Sequence, residues 1–215
     1  MLLPRSVPGG SADLVDRERR QRDAEASIYD RLPGLRIISP WEIPATLSPL
    51  GLNRDSRVFE VGCGTGRLTL PILRTGARVL AVDHSIESLR VLHAKLAPAE
   101  RARVILAQGE AFAPPVRPGW ATHAVAAQML EHVPDPLLRS RVIAGMAGAL
   151  AGGGRAVVSA YRRLPWLPGE GMHSGQMYFR RFSRAEFHAL LEPHFRLDRL
   201  SGGLLYAWLA HGTRR

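Results

Sequence analysis

Short apolar runs alternate with longer amphipathic stretches from residue 57 onward, and this alternation sets the first expectation about the chain. Runs rich in Val, Ala and Leu predict strands over 57–61, 78–82, 103–107, 121–127 and 154–160. Apolar residues at helical spacing between them predict helices over about 66–75, 85–96 and 135–151, with a looser segment through Pro114-Pro115. Strand–helix alternation of this kind predicts an α/β fold: a doubly wound, mostly parallel sheet with right-handed crossovers and helices on both faces. Gly152-Gly153-Gly154 precedes a strand and so reads as a helix C-cap and turn. Ser183-x-x-Glu186 is a capping box that starts a helix over 184–192. Phe195–Leu200 and Leu204–Leu209, around a Gly202-Gly203 turn, then predict a closing antiparallel hairpin.

The first 50 residues read differently. Residues 1–11 are Pro/Gly/Ser-rich without apolar period and are expected to be disordered. A charged helix follows from Ala12 to about Arg31, with Ala24, Ile28 and Tyr29 as its thin apolar side, stopped by Pro33-Gly34. A second helix is expected from Pro40 to Leu50, with Ser39 as N-cap, Pro40 at the first helical position and Ile43, Leu47 and Leu50 on one face. Residues 161–182 are the one long stretch without regular pattern, the usual character of a lid. The whole is expected to be one domain over 12–215: N-terminal helices (12–50), a ligand-binding core (51–160), a substrate loop (161–182) and a C-terminal helix and hairpin (183–215).

The candidate chemistry starts at the end of the first strand. Val58-Phe59-Glu60-Val61-Gly62-Cys63-Gly64-Thr65-Gly66 runs from an apolar strand into an acid and three alternating glycines, a turn that lets backbone come close to a ligand. The spacing is G-x-G-x-G with an acid two residues ahead, which differs from the G-x-G-x-x-G of hydride-carrying dinucleotides. The second strand, Arg78-Val79-Leu80-Ala81-Val82-Asp83, ends in a carboxylate where an acid can accept both hydroxyls of a ribose. The alternative for Asp83 is a cap on the helix that starts near Ser85.

These motifs resemble those of the class I S-adenosylmethionine (SAM)-dependent methyltransferases, whose first motif has the form E/D-x-G-x-G-x-G; the resemblance covers about residues 40–160. It implies a Rossmann-like sheet, SAM as cofactor and S-adenosylhomocysteine (SAH) as its product. Carried over residue by residue, it implies that Glu60 and the backbone of Gly62, Cys63, Gly64 and Gly66 hold the methionyl part, with Asp83 on the ribose. His84 would lie beside the adenine edge, Glu110 would meet the adenine amino group, Ala111 would offer its N–H to the ring, and the Gln128 carbonyl would receive the ammonium. The fourth strand lacks the aspartate that many relatives carry near its start; Thr122 and His123 stand there.

Methyl transfer rests mainly on position and desolvation, and a base is needed only where the nucleophile arrives protonated. His132, in Met129-Leu130-Glu131-His132-Val133, is the first candidate, because a neutral imidazole takes a proton near pH 7. Tyr29, Trp41, Tyr161, His173 and Tyr178 are the candidate substrate contacts, suited to an apolar or planar molecule.

Composition narrows the partners. The net charge is +10, yet Lys95 is the only lysine among 29 basic residues, the skew that a GC-rich genome imposes on any protein. The arginine surplus falls mainly after residue 154 and is not patterned into a nucleic-acid face, although it suits an acidic substrate. With Cys63 alone there is neither an intrachain disulfide nor a cysteine-built metal site, and no metal is expected. No apolar run approaches the ~20 residues that span a bilayer, so a cytoplasmic protein, monomer or homodimer, is expected. The resulting expectation is a small-molecule O- or N-methyltransferase in a bacterial biosynthetic pathway. The alternatives are an RNA-modifying methyltransferase, which would bind bulk RNA in a salt-sensitive way, and a SAM-binding scaffold or cyclase, which would bind the cofactor without turnover.

Overall fold

The computed structural model describes residues 10–173, 177–204 and 206–215. Five strands, β1 (Arg57–Val61), β2 (Arg78–Asp83), β3 (Val104–Gln108), β4 (Ala121–Ala127) and β5 (Leu150–Tyr161), pair in parallel. Two further strands, β8 (Phe195–Leu204) and β9 (Ala207–Arg214), extend the same sheet antiparallel, in the order β3-β2-β1-β4-β5-β9-β8. The order reverses between β1 and β4, and in doubly wound sheets a ligand crevice opens outside the carboxyl ends of the strands at that point.

Alternate side chains along each central strand face opposite layers, which is why these runs are continuously apolar. Phe59, Val61, Val82, Ala124 and Val158 pack with Val142, Ile143 and Met146 of α6 (Pro136–Ala149) and Phe187 and Leu191 of α7 (Arg184–Leu191). On the other face, Val58, Val79, Ala81, Val125 and Val157 meet Ile72 and Leu73 of α3 (Thr69–Arg74) and Leu89 and Leu92 of α4 (Ile86–Lys95).

Several expectations change. Pro33-Gly34 does not stop a helix; Pro33 opens α2 (Pro33–Leu47), since proline at the first helical position sacrifices no hydrogen bond, and Pro40 and Pro44 lie inside it. The first helix, α1 (Ser11–Glu25), ends before a 3₁₀ turn at Tyr29–Arg31. Expected disorder over 1–11 falls on residues outside those described, except Gly10 and Ser11, where α1 begins. A short helix, α5 (Pro98–Arg101), has no counterpart in the expectations. The segment 161–182 holds a small antiparallel sheet of β6 (Glu170–His173) and β7 (Met177–Arg180) instead of an irregular loop. Gly152-Gly153-Gly154 lies within β5 at a shift of register against β4, with Gly153 at φ 72, so it is a bulge and not a turn before the strand. Gly202 likewise belongs to β8, at a second irregularity, so the Gly202-Gly203 pair is not the hairpin turn.

Candidate active site

A cleft enclosing about 1140 Å³, partly open to solvent, lies over the carboxyl ends of β1, β2 and β4. Glu60, Gly62, Cys63, Gly64, Asp83, His84, Glu110, Ala111 and Gln128 all line it, so the structure brings these predicted contacts together. Gly66 does not line it. At φ +91 it packs inward, where an added Cβ would lie 2.3 Å from Leu92 Cδ1. Gly64, at φ +51, lies on the cleft wall, and an added Cβ there would meet nothing within 4 Å. Bare backbone against open space is what a close-fitting ligand needs.

Asp83 ties the turn together. Its Oδ2 accepts from the Gly64 N–H at 2.7 Å and its Oδ1 from the Ser85 N–H at 2.9 Å. Ser85 itself caps α4, accepting from the Ser88 N–H at 3.0 Å, so Asp83 is not the helix's N-cap residue. Each carboxylate oxygen keeps lone-pair capacity for a diol. Glu60 is buried, accepts from Thr69 Oγ1 at 2.7 Å, and burial pushes its pKa up to about 8, with Thr69 and Arg67 pulling against it. A buried neutral carboxyl of this kind favours a cationic ligand, which would stabilise its ionised form. Burial also raises the Cys63 thiol well above its usual range, so it stays neutral and is no nucleophile.

Gln128 adopts φ 54 at the tip of β4, unusual for a residue with a side chain and a form of local strain found at sites. Its Nε2 donates to Glu42 Oε1 and to the Tyr206 hydroxyl. Glu42 in turn pairs with Arg67 of the glycine turn, so α2 is fastened to both β1 and β4. Thr122 and His123, where many relatives carry an aspartate, serve the fold: Thr122 Oγ1 accepts from the Arg57 N–H at 2.9 Å, and His123 Nε2 lies 3.2 Å from the Leu50 carbonyl.

His132 sits where a second cleft, of about 1120 Å³, meets the first; Arg22, Tyr29, Gln128 and His132 line both. Its Nδ1–H donates to the Tyr178 carbonyl at 2.8 Å, which leaves Nε2 as the acceptor. Burial pushes its pKa down to about 4, against the opposing pull of Glu18, whose Oε1 lies 3.8 Å from Nδ1. The imidazole is therefore neutral throughout the physiological range. Burial would raise the Glu18 pKa, and His132 and Arg22 pull it down, the Arg22 Nε–H donating to Glu18 at 2.8 Å.

Of the predicted substrate contacts, Tyr29, Tyr161 and His173 line the second cleft. Trp41 does not: it is 74% exposed and on neither wall. Tyr178 is buried, and its hydroxyl donates to Glu170 at 3.1 Å, so it orients His132 through its carbonyl instead of facing a ligand. Sequence reading missed Glu18, Arg22, Arg67 and Tyr206 as lining or bracing residues, while Arg162, one of the arginines that suit an acidic substrate, lines the second cleft. Leu14, Glu18 and Arg22 of α1 recur every fourth position, with Ala26 next in the series just past its end, and that stripe was the available signal for two of the missed residues. Among the described residues no His, Cys, Asp and Glu grouping is suited to holding a metal ion, and no helix is long and apolar enough to cross a membrane.

Residues 58–154 match the family described as "Methyltransferase domain". The ubiquinone biosynthesis O-methyltransferase of Xanthomonas campestris pv. campestris (strain B100) is 35% identical over 133 residues, covering 61% of this chain and 53% of that one; the chain thus spans about half the length of that curated relative. The Burkholderia thailandensis 1,6-didemethyltoxoflavin-N1-methyltransferase, solved with 1,6-didemethyltoxoflavin and S-adenosylhomocysteine, superposes with a TM-score of 0.75 at 20% identity, covering 98% of this chain and 93% of that one. The DhpI-SAH complex gives a TM-score of 0.75 at 21% identity, covering 95% and 98%. Residues 58–154 thus match a methyltransferase domain, and the fold is that of solved SAM-dependent methyltransferases.

Proposed function

We propose that the chain transfers a methyl group from SAM to an oxygen or nitrogen of a small planar molecule, in the cytoplasm and within a bacterial biosynthetic pathway. The observation that carries this reading is the shared wall: a cofactor-shaped cleft and an aromatic-lined cleft meet at Arg22, Tyr29, Gln128 and His132. When bound, SAM supplies an electrophilic methyl on a sulfonium centre. Glu60 and the Gly62–Gly64 backbone would hold its methionyl end, Asp83 the ribose, and Glu110 with Ala111 the adenine.

The chain's own work is then to hold the acceptor and exclude water. Tyr161 and His173 lie edge to face at 5.9 Å, and Tyr161 lies 5.9 Å from His132, so successive rings wall the second cleft. His132 Nε2 accepts a hydrogen bond from the acceptor's O–H or N–H and orients it. With a pKa of about 4 it is too weak to strip a phenol early and takes the proton only as methyl transfer makes that proton acidic. His132→Ala is expected to lower kcat by roughly 10²-fold, the lower end for a positioned proton acceptor. The acid limb of the activity, where the imidazole gains a proton and loses its acceptor, is expected near pH 4 instead of near 6.5.

The test incubates purified chain and isotope-labelled SAM with metabolites of the source organism and seeks a product heavier by one methyl group. The same product should then give the His132 pH profile. SAM bound with no product from any fraction would favour the non-methylating alternative, and an acid limb at pH 6–7 would contradict the weak-base role.

A further inference from the structure

Arg162 and His173 line the second cleft, and each carries a buried nitrogen, Nε and Nε2, that has no hydrogen-bond partner among the described residues. Buried polar groups are ordinarily matched, and the Arg162 Nε–H is a donor in every state, so its lack of an acceptor points to an oxygen-bearing ligand beside it. Arg162 is the more telling. Its guanidinium lies over the Trp208 ring, 4.7 Å from the centroid, and beside Gly202, where an added Cβ would fall 2.6 Å from Nη1. Stacking and the missing side chain seat the fork in one place, while among the described residues no carboxylate pairs with it. Of the cleft's other charged groups, Arg22 pairs with Glu18, and Glu25 accepts from the neutral Gln21 amide through a 2.5 Å bond. Arg181 has one Nη1 bond to the Pro168 carbonyl at 2.8 Å and also reaches the cleft without an acid partner.

We propose that Arg162 is the specificity residue of the second cleft, taking a carboxylate on a planar substrate in a forked hydrogen bond, with Arg181 adding positive charge. A guanidinium matches a carboxylate's two oxygens and gains strength where water is excluded. This deepens the methyltransferase reading and rests on it for the cofactor's place, but the anion site is testable separately.

Titration calorimetry of the full chain with benzoate and with benzamide, each with and without SAH, provides the test, because the two probes share shape and differ in charge. Benzoate is expected to bind at least tenfold more tightly than benzamide. Arg162→Gln should abolish that ratio while SAH affinity stays unchanged, and Arg162→Lys should keep part of it. Circular dichroism confirms that each variant is folded, and the lysine variant decides the matter where the glutamine variant is not. Equal binding of the probes, no benzoate binding up to its solubility, or a ratio that survives in Arg162→Gln would overturn the proposal. Failure of SAH to bind would instead sink the methyltransferase reading and leave the probe ratio to judge Arg162.

Discussion

Gly64 and Gly66 are two residues apart and do different work, which makes them a sharp test of the cofactor cradle. Gly64→Ala adds a methyl to the cleft wall at φ +51, so it should cost about 1–2 kcal/mol of fold stability and weaken SAH binding at least tenfold. Gly66→Ala drives its methyl into Leu92, so it should lose about 1–3 kcal/mol more from overpacking and, where folded, keep its SAH affinity. Thermal unfolding with calorimetry separates them; affinity lost at Gly66 but kept at Gly64 would reverse the assignment. Glu60 gives a prediction in pH. Its pKa of about 8 in the free protein means it is protonated at pH 7, and a bound cation lowers that pKa. Binding therefore releases a proton, and SAM affinity should rise with pH up to about 8 and then level off. Glu60→Gln should remove the slope; an unchanged slope in that variant would assign the proton elsewhere. The glycine spacing and Asp83 were legible from sequence because their geometry is local. The neutral state of His132 was not, because it depends on burial that outweighs the opposing pull of Glu18, a residue distant in the chain.

Among the elements, the parallel core was legible because each strand is buried on both faces and each helix on one, and those periods are written in the apolar pattern. The errors lie where proline and glycine have more than one use: Pro33 as a helix start, the 152–154 and 202 glycines as bulges. They also lie where tertiary pairing creates a strand, as at β6 and β7, whose residues show no alternation of their own. One acid from each N-terminal element fastens it to the core. Asp23 of α1 accepts from Ser85 Oγ at 2.6 Å, Asp30 from Thr65 Oγ1 at 2.7 Å while pairing with Lys95, and Glu42 of α2 pairs with Arg67. Of these elements, α1 and the turn at Tyr29 line the first cleft, so their latches are expected to slow exchange of a ligand bound there. Asp30→Ala removes a partly exposed ion pair worth 0.2–1 kcal/mol and should speed SAH release about two- to fivefold in stopped-flow displacement. An unchanged release rate would mean that the turn carrying Asp30 is not part of the gate.

At the scale of the molecule, one sheet carries two joined clefts at its reversal point, one shaped by glycine backbone and one by aromatic rings and arginine. Sequence located the first through its motifs. The second is assembled from α1, α2, β5, β6, β7 and the turn before β9, segments that no motif links, so only the fold brings them together. Calorimetric titration of the purified chain with SAH and with NAD tests the central claim most directly. The account predicts one SAH site per chain with a dissociation constant of roughly micromolar size, about −8 kcal/mol, and no NAD binding. NAD binding without SAH binding would contradict it and would reassign the glycine turn to a different cofactor.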